Sequence, residues 1–163
     1  MAVGIPGVHY HVGIATRDLD EAMASVGQLF GLSWAAEQPH HETPKMRNAD
    51  GEVDWVLKRV VHSMGGPMRV ELLEGGPGSV WATDEVAVLH HIAYWVDDVA
   101  ATVASLEADG WSLDVTIATD DGRPSMFAYM TKPGNARVEL TEAGRRDETL
   151  ERLGWSQWSA YLR

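Results

Sequence analysis

Four residues of this chain have the types and the spacing to hold a divalent metal ion: His11, Glu71, His91 and Glu139. The glutamates sit in near-copies of one segment, Arg69-Val70-Glu71-Leu72-Leu73-Glu74 and Arg137-Val138-Glu139-Leu140-Thr141-Glu142. These are identical at five of six positions and lie 68 residues apart. The histidines open a weaker pair, His11-Val12-Gly13-Ile14 and His91-Ile92-Ala93-Tyr94, 80 residues apart. Imidazole suits zinc, nickel, cobalt or iron, and carboxylate suits manganese or magnesium as well. Four protein donors in an octahedral site leave two positions for water or substrate. The competing reading is four ordinary polar residues on the solvated face of an antiparallel sheet. Their duplicated placement favours the metal.

The order His, Glu, His, Glu points to a duplicated unit. Each copy reads as β-α-β-β-β. In the first, Val8–Thr16 has strand composition. Asp18 or Asp20 can cap a helix to Phe30, with Gly31 as its stop. A strand near Leu32–Ala36 follows, then strands at Trp55–Val61 and Met68–Leu73, joined by a turn with Gly65-Gly66-Pro67. In the second copy the strand Leu89–Val96 precedes a helix over Asp98–Asp109, stopped by Gly110. Strands follow at Leu113–Ala118, Ser125–Thr131 and Ala136–Thr141. The His-to-Glu separation is about a dozen residues longer in the first copy. The extra residues fall at 37–54, whose His, Pro, Asn, Asp and Gly content reads as loop.

Strand parity suggests how the four could meet. Val8, Tyr10, Val12 and Ile14 share an apolar face that a helix would cover, and His9, His11, Gly13 and Ala15 share the other. Ile92, Tyr94 and Val96 oppose His91. Val70 and Leu72 oppose Glu71, and Val138 and Leu140 oppose Glu139. The expected fold class is α+β. Two tandem modules, 1–80 and 81–143, would form a curved, mostly antiparallel eight-stranded cleft, and 144–163 a helical tail.

Composition narrows the function. Thirteen Lys and Arg against 24 Asp and Glu give a net charge of −11, which argues against nucleic acid as a partner. With no cysteine, a thiolate metal site and a cysteine nucleophile are excluded. No secretory leader or membrane-spanning run is evident, so a cytoplasmic location is expected.

Several segments resemble the vicinal oxygen chelate proteins, the glyoxalase, bleomycin-resistance and extradiol-dioxygenase superfamily. They are His11-Val12-Gly13-Ile14-Ala15 with Asp18-Leu19-Asp20-Glu21-Ala22, Phe30-Gly31-Leu32, Val70-Glu71-Leu72-Leu73-Glu74, His90-His91-Ile92-Ala93 with Val96-Asp97-Asp98, and Val138-Glu139-Leu140. The likeness covers roughly residues 7–143 and is greatest to methylmalonyl-CoA epimerases. It implies paired βαβββ modules around a divalent ion held by His11, Glu71, His91 and Glu139. It implies isomerase, epimerase or lyase chemistry, with Glu139 as first choice for the proton-moving base and Glu71 as second. A ring-cleaving iron dioxygenase and a metal-free binding or resistance protein are the alternatives. The epimerases share a second acid before the third strand of the first module. This chain has its insertion there, and only Glu42, Glu52 and Asp54 lie nearby.

Other residues carry weaker signals. His9 and His90 adjoin the ligand candidates and read as supporting or structural. Arg69 and Arg137, two residues before each glutamate, could grip a substrate carboxylate, or could be rim arginines paired with surface acids. Lys58, Arg59 and Arg123 are the other obvious anion contacts. Trp55 and Trp95 could wall a substrate pocket, or simply pack, as could Trp34, Trp81 and Trp111. The Gly75-Gly76-Pro77-Gly78 run reads as a linker between modules. In the tail, Trp155, Trp158, Tyr161 and Leu162 must cover either the protein's own sheet or a partner subunit. A small-molecule substrate and a homodimer are expected.

Overall fold

The computed structural model describes residues 4–37, 46–53, 57–65 and 68–155. The chain begins with β1 (Val8–Ala15), α1 (Leu19–Phe30) and the short β2 (Ser33–Trp34). A hairpin follows, β3 (Met46–Asn48) and β4 (Gly51–Val53). Then come β5 (Leu57–Gly65) and β6 (Val70–Gly75). The second half has β7 (Val88–Val96), α2 (Val99–Ala108), β8 (Ser112–Ala118), β9 (Pro124–Thr131) and β10 (Val138–Glu142). A 3-10 turn and α3 (Arg146–Arg152) end the described chain.

Local signals set both long helices. Asp18 accepts a hydrogen bond from the Glu21 amide, and Asp98 one from the Ala101 amide, each satisfying a free N–H of a helix start. Gly31 closes α1 at φ 64°, a left-handed conformation that favours glycine. Each helix covers one face of its own strands. Leu19, Ala22 and Val26 of α1 pack on Val61, Val70 and Leu72. Val99, Val103 and Leu106 of α2 pack on Met130, Val138 and Leu140.

The strands form one open mixed sheet in the order β2-β5-β6-β1-β7-β10-β9-β8-β3-β4. Among the described residues it has ten strands rather than the expected eight. The difference is the insertion, read from its composition as loop. Part of it folds into the β3–β4 hairpin, and β3 pairs with β8 at the far edge of the other half. Met46 is buried there with Val115 and Tyr129. The centre of the sheet is the antiparallel pair β1–β7, flanked by β6 and β10, each parallel to its neighbour.

Two bulges interrupt that central pair. Tyr10 is the extra residue in β1, between His9 and His11. His90 is the extra residue in β7, opposite the step from Gly13 to Ile14. A bulge places an additional side chain out of alternation. Tyr10 therefore leaves the helix-facing set assigned to it by parity. It packs with Trp95, Leu150, Leu153 and Trp155 on the opposite face.

Candidate metal centre

His11, Glu71, His91 and Glu139 come together on the face away from α1 and α2, with one donor atom from each lying within 4.8 Å of all the others. The register explains this convergence. Glu71, Gly13 and His91 lie in one row across β6, β1 and β7. Glu139, Ala93 and His11 lie in the mirror row across β10, β7 and β1. Each row has a glycine or alanine at its middle position, so the longer side chains on either side can lean over it.

The donor separations are those of a coordination sphere. His11 Nε2 lies 2.8 Å from His91 Nε2 and 3.4 Å from Glu71 Oε2. His91 Nε2 lies 3.5 Å from Glu71 Oε2 and 3.0 Å from Glu139 Oε2. Bonds of about 2.1 Å at right angles place neighbouring donors about 3 Å apart. Two imidazoles and two carboxylates turned toward one point, all largely withdrawn from solvent, form a donor set that a divalent cation fits.

Each glutamate is gripped by one oxygen and offers the other. Glu71 Oε1 lies 3.0 Å from His62 Nε2, its direct cross-strand partner on β5. Glu139 Oε1 accepts from Tyr10 at 2.9 Å and from Thr141 at 2.8 Å. Such outer contacts orient ligands and tune the site. Burial would raise both carboxyls, but the charge and hydrogen bonds of the neighbouring histidines outweigh it. Glu71 is held well below the usual carboxylate range by His11 and His62. Glu139 is held at about 2, chiefly by His91. Burial, then the Glu139 charge, drives the Tyr10 phenol well above its ordinary value, so it remains a donor.

His90 backs His91, with their Nδ1 atoms 2.8 Å apart. Its Nε2 lies 2.9 Å from the Val80 carbonyl and 2.6 Å from Arg137 Nη1. A His91 that bound an ion through Nε2 would carry its proton on Nδ1 and donate it to His90 Nδ1. Burial, His91 and Arg137 together push His90 down to about 3, so it is neutral at physiological pH.

A cavity of about 450 Å³ opens over the cluster. Leu57, Val60, Leu73, Trp81, Ile117 and Phe127 supply its apolar wall. Helix α3 crosses one side of it. Near its start Arg145 reaches Met126 on β9, and just past its end Trp155 donates to the Ser63 carbonyl on β5 at 2.5 Å. The tail thus covers the protein's own sheet as far as residue 155. Trp158, Tyr161 and Leu162 lie outside the described residues.

The remaining candidates are placed as follows. Arg69 Nε donates to the Tyr10 carbonyl. Arg137 pairs with Asp114 at 2.7 Å. Trp95 is buried and stacks on Tyr10, centroids 4.0 Å apart. Trp55, Glu42 and Asp54 lie outside the described residues. Glu52 is exposed on β4. His9 Nε2 contacts the His11 carbonyl at 3.1 Å. Trp34 donates to the Met23 carbonyl, and Trp111 packs beside α2. Lys58 and Arg59 face Glu74, and Arg59 also faces Asp20. Trp81 lines the cavity and donates to the Tyr129 hydroxyl at 3.2 Å.

Sequence reading missed His62 and Tyr10. Ending the third strand of the first half at Val61 hid His62, and strict alternation hid Tyr10. The register repeat offered one signal, since His62 faces Glu71 as Tyr129 faces Glu139.

A family model described as "Glyoxalase/Bleomycin resistance protein/Dioxygenase superfamily" matches residues 10–129. No curated protein sequence matches the chain. Similar solved structures include a methylmalonyl-CoA epimerase in complex with methylmalonyl-CoA and ammonium. It is 20% identical at a TM-score of 0.54, covering 83% of this chain and 94% of that one. The methylmalonyl-CoA epimerase of Mycobacterium tuberculosis is 20% identical at 0.55, covering 87% and 91%. A 4-hydroxymandelate synthase variant from Streptomyces coelicolor is 17% identical at 0.57, covering 86% of this chain and 39% of its own. At these identities the likeness establishes the fold.

Proposed function

The chain belongs to the glyoxalase/bleomycin resistance protein/dioxygenase superfamily, and we propose that it is a metal-dependent isomerase, epimerase or lyase that moves a proton on the carbon beside a carbonyl. The observation that carries this reading is the cluster itself. Two histidines and two glutamates converge within 4.8 Å, and each glutamate has one oxygen held from behind and one offered forward. His11, Glu71, His91 and Glu139 would hold the ion. A divalent ion bound there supplies Lewis-acid stabilisation of negative charge developing on a substrate oxygen.

Glu139 is assigned as the base, with Glu71 as the second candidate. A carboxyl held at about 2 is ionised at neutral pH and able to accept a proton. Tyr10 and Thr141 hold Glu139 through Oε1 and fix where Oε2 points. Leu57, Val60, Leu73, Trp81, Ile117 and Phe127 give the cavity an apolar wall beside the cluster.

The test is solvent deuterium incorporation. Protein loaded with cobalt, nickel, zinc or manganese is incubated in D2O with methylmalonyl-CoA, and separately with small 2-hydroxy and 2-oxo carbonyl compounds. Exchange beside the carbonyl is expected for at least one compound. It should fall by more than about a hundredfold in Glu139→Gln, the scale of a lost general base. Exchange that persists in Glu139→Gln would remove Glu139 from its role. Absence of exchange in every loaded form would overturn the isomerase reading.

A further inference from the structure

We propose that the substrate is a compact carboxylate with an apolar, ring-sized body, oriented by Arg152 on α3. This rests on the reading of the cluster as a chelating metal centre. Three observations support it.

The first is the division of the cavity into unlike sides. The cluster lies at its base. Leu57, Val60, Ile117 and Phe127 present an apolar side. From α3 and the turn before it, Arg145, Glu148, Thr149 and Arg152 bring polar groups to the cavity, beside Leu153. A ligand that fills this space has two oxygens at one end, an apolar middle and a polar group toward the helix.

The second is the state of these two arginines. Arg145 Nε lies 3.5 Å from Glu148, and Arg145 also contacts Met126. Arg152 lines the cavity and has no ion-pair partner among the described residues. Thr149, one turn before it, lines the cavity too and adds a hydroxyl. A guanidinium beside a hydroxyl at the mouth of an apolar cavity suits a carboxylate.

The third is the local charge. Glu142 and Glu148 line the same cavity. One available cation in a cavity that these two acids also line suits a single negative charge better than several. A phosphate or pyrophosphate, with two or more charges, would meet repulsion there. The volume, about 450 Å³, also suits a molecule of ring size.

Three hydroxamates test this by binding, without turnover. A hydroxamate offers two oxygens to a metal. Acetohydroxamate reports chelation alone, benzohydroxamate adds the apolar body, and para-carboxybenzohydroxamate adds the distal carboxylate. Titrations use the full chain loaded with cobalt or zinc. Benzohydroxamate should bind at least about tenfold tighter than acetohydroxamate. The para-carboxyl should add about another tenfold, from a charge-assisted hydrogen bond. That second gain should vanish in Arg152→Ala, persist in part in Arg152→Lys, and persist in Arg145→Ala. All three variants change exposed side chains, and circular dichroism confirms that they fold.

Equal binding of all three probes, or a carboxyl gain unchanged in Arg152→Ala, overturns this inference and leaves the metal reading intact. If the protein takes up the ion and none of the three binds, the chelation reading falls, and this inference falls with it.

Discussion

Gly13 of β1 lies directly opposite His91 of β7, and a β-carbon on Gly13 would stand 2.0 Å from His91 Cε1. The imidazole occupies the space that a side chain would fill. Separations under about 3 Å are not tolerated without movement, and here the neighbour is a ring buried on every side. The symmetric position is Ala93, opposite His11. A methyl group is accommodated in that row and not in the Gly13 row.

Gly13→Ala is therefore expected to displace His91 and weaken metal binding by at least about tenfold. It should also cost about 1–3 kcal/mol of stability through overpacking. Calorimetric metal titration and thermal unfolding check both, with Ala93→Gly as the milder comparison. A Gly13→Ala protein with wild-type affinity would show that the His91 ring is not fixed as described.

His62 and Tyr10 are expected to act through the glutamates. His62→Ala removes the partner of Glu71 Oε1, and Tyr10→Phe removes a donor to Glu139 Oε1. Loss of such outer contacts typically lowers metal affinity by about 10–100-fold. Phenylalanine preserves the stacking on Trp95, so Tyr10→Phe should lose affinity with little loss of fold. Equal affinity in both variants would mean that the glutamates are placed by the strands alone.

Acid should unfold the metal-free protein through two overlapping windows. His90 is lowered from 6.5 to about 3 in the folded state. The unfolded chain therefore binds its proton first, and stability falls as pH drops from 6.5 toward 3. Glu139 is lowered from 4.5 to about 2, and Glu71 moves in the same direction. Their contribution is full above 4.5 and is lost as pH falls toward 2. Denaturant unfolding across this range should show stability rising with pH throughout. His90→Gln should flatten the upper part, between 6.5 and 4.5. An unchanged profile in that variant would reassign the upper window.

Trp155 should report on the site. Its indole lies 5.2 Å from the His62 ring and 5.9 Å from the His11 ring, fully buried. Cobalt or nickel binding should quench a share of the fluorescence that disappears in Trp155→Phe. That variant also loses the hydrogen bond to the Ser63 carbonyl, at a cost of about 1 kcal/mol. Quenching unaffected by the substitution would place the ion elsewhere.

Much of this arrangement was legible in the residues because two periodicities carry it. Alternation along β6, β7 and β10 put Glu71, His91 and Glu139 on one face, and the duplicated segments marked them as equivalent. Asp18 (or Asp20) and Gly31 announced the ends of the first helix by cap chemistry, and Gly110 the stop of the second. What alternation could not show were the bulges at Tyr10 and His90, since each adds a residue that only the partner strand reveals. Nor could composition show the β3–β4 hairpin. Its strands are three residues each and hold through pairing with β8, a contact distant in sequence. The polar side of α3 was hidden for a related reason, because which side of a short helix faces the cavity is set by Leu150, Leu153 and Trp155 packing on Tyr10 and Trp95.

The most direct test is metal content, measured by elemental and native mass spectrometry on the purified chain beside Glu139→Ala. About one divalent ion per chain is expected, with its loss or marked weakening in the variant, whose remaining donors would be His11, Glu71 and His91. Cobalt, nickel, zinc or manganese would agree with proton-transfer chemistry, and iron would favour an oxygenase. A chain that holds no ion, and takes up none when each is added, would contradict the metal centre on which the account depends.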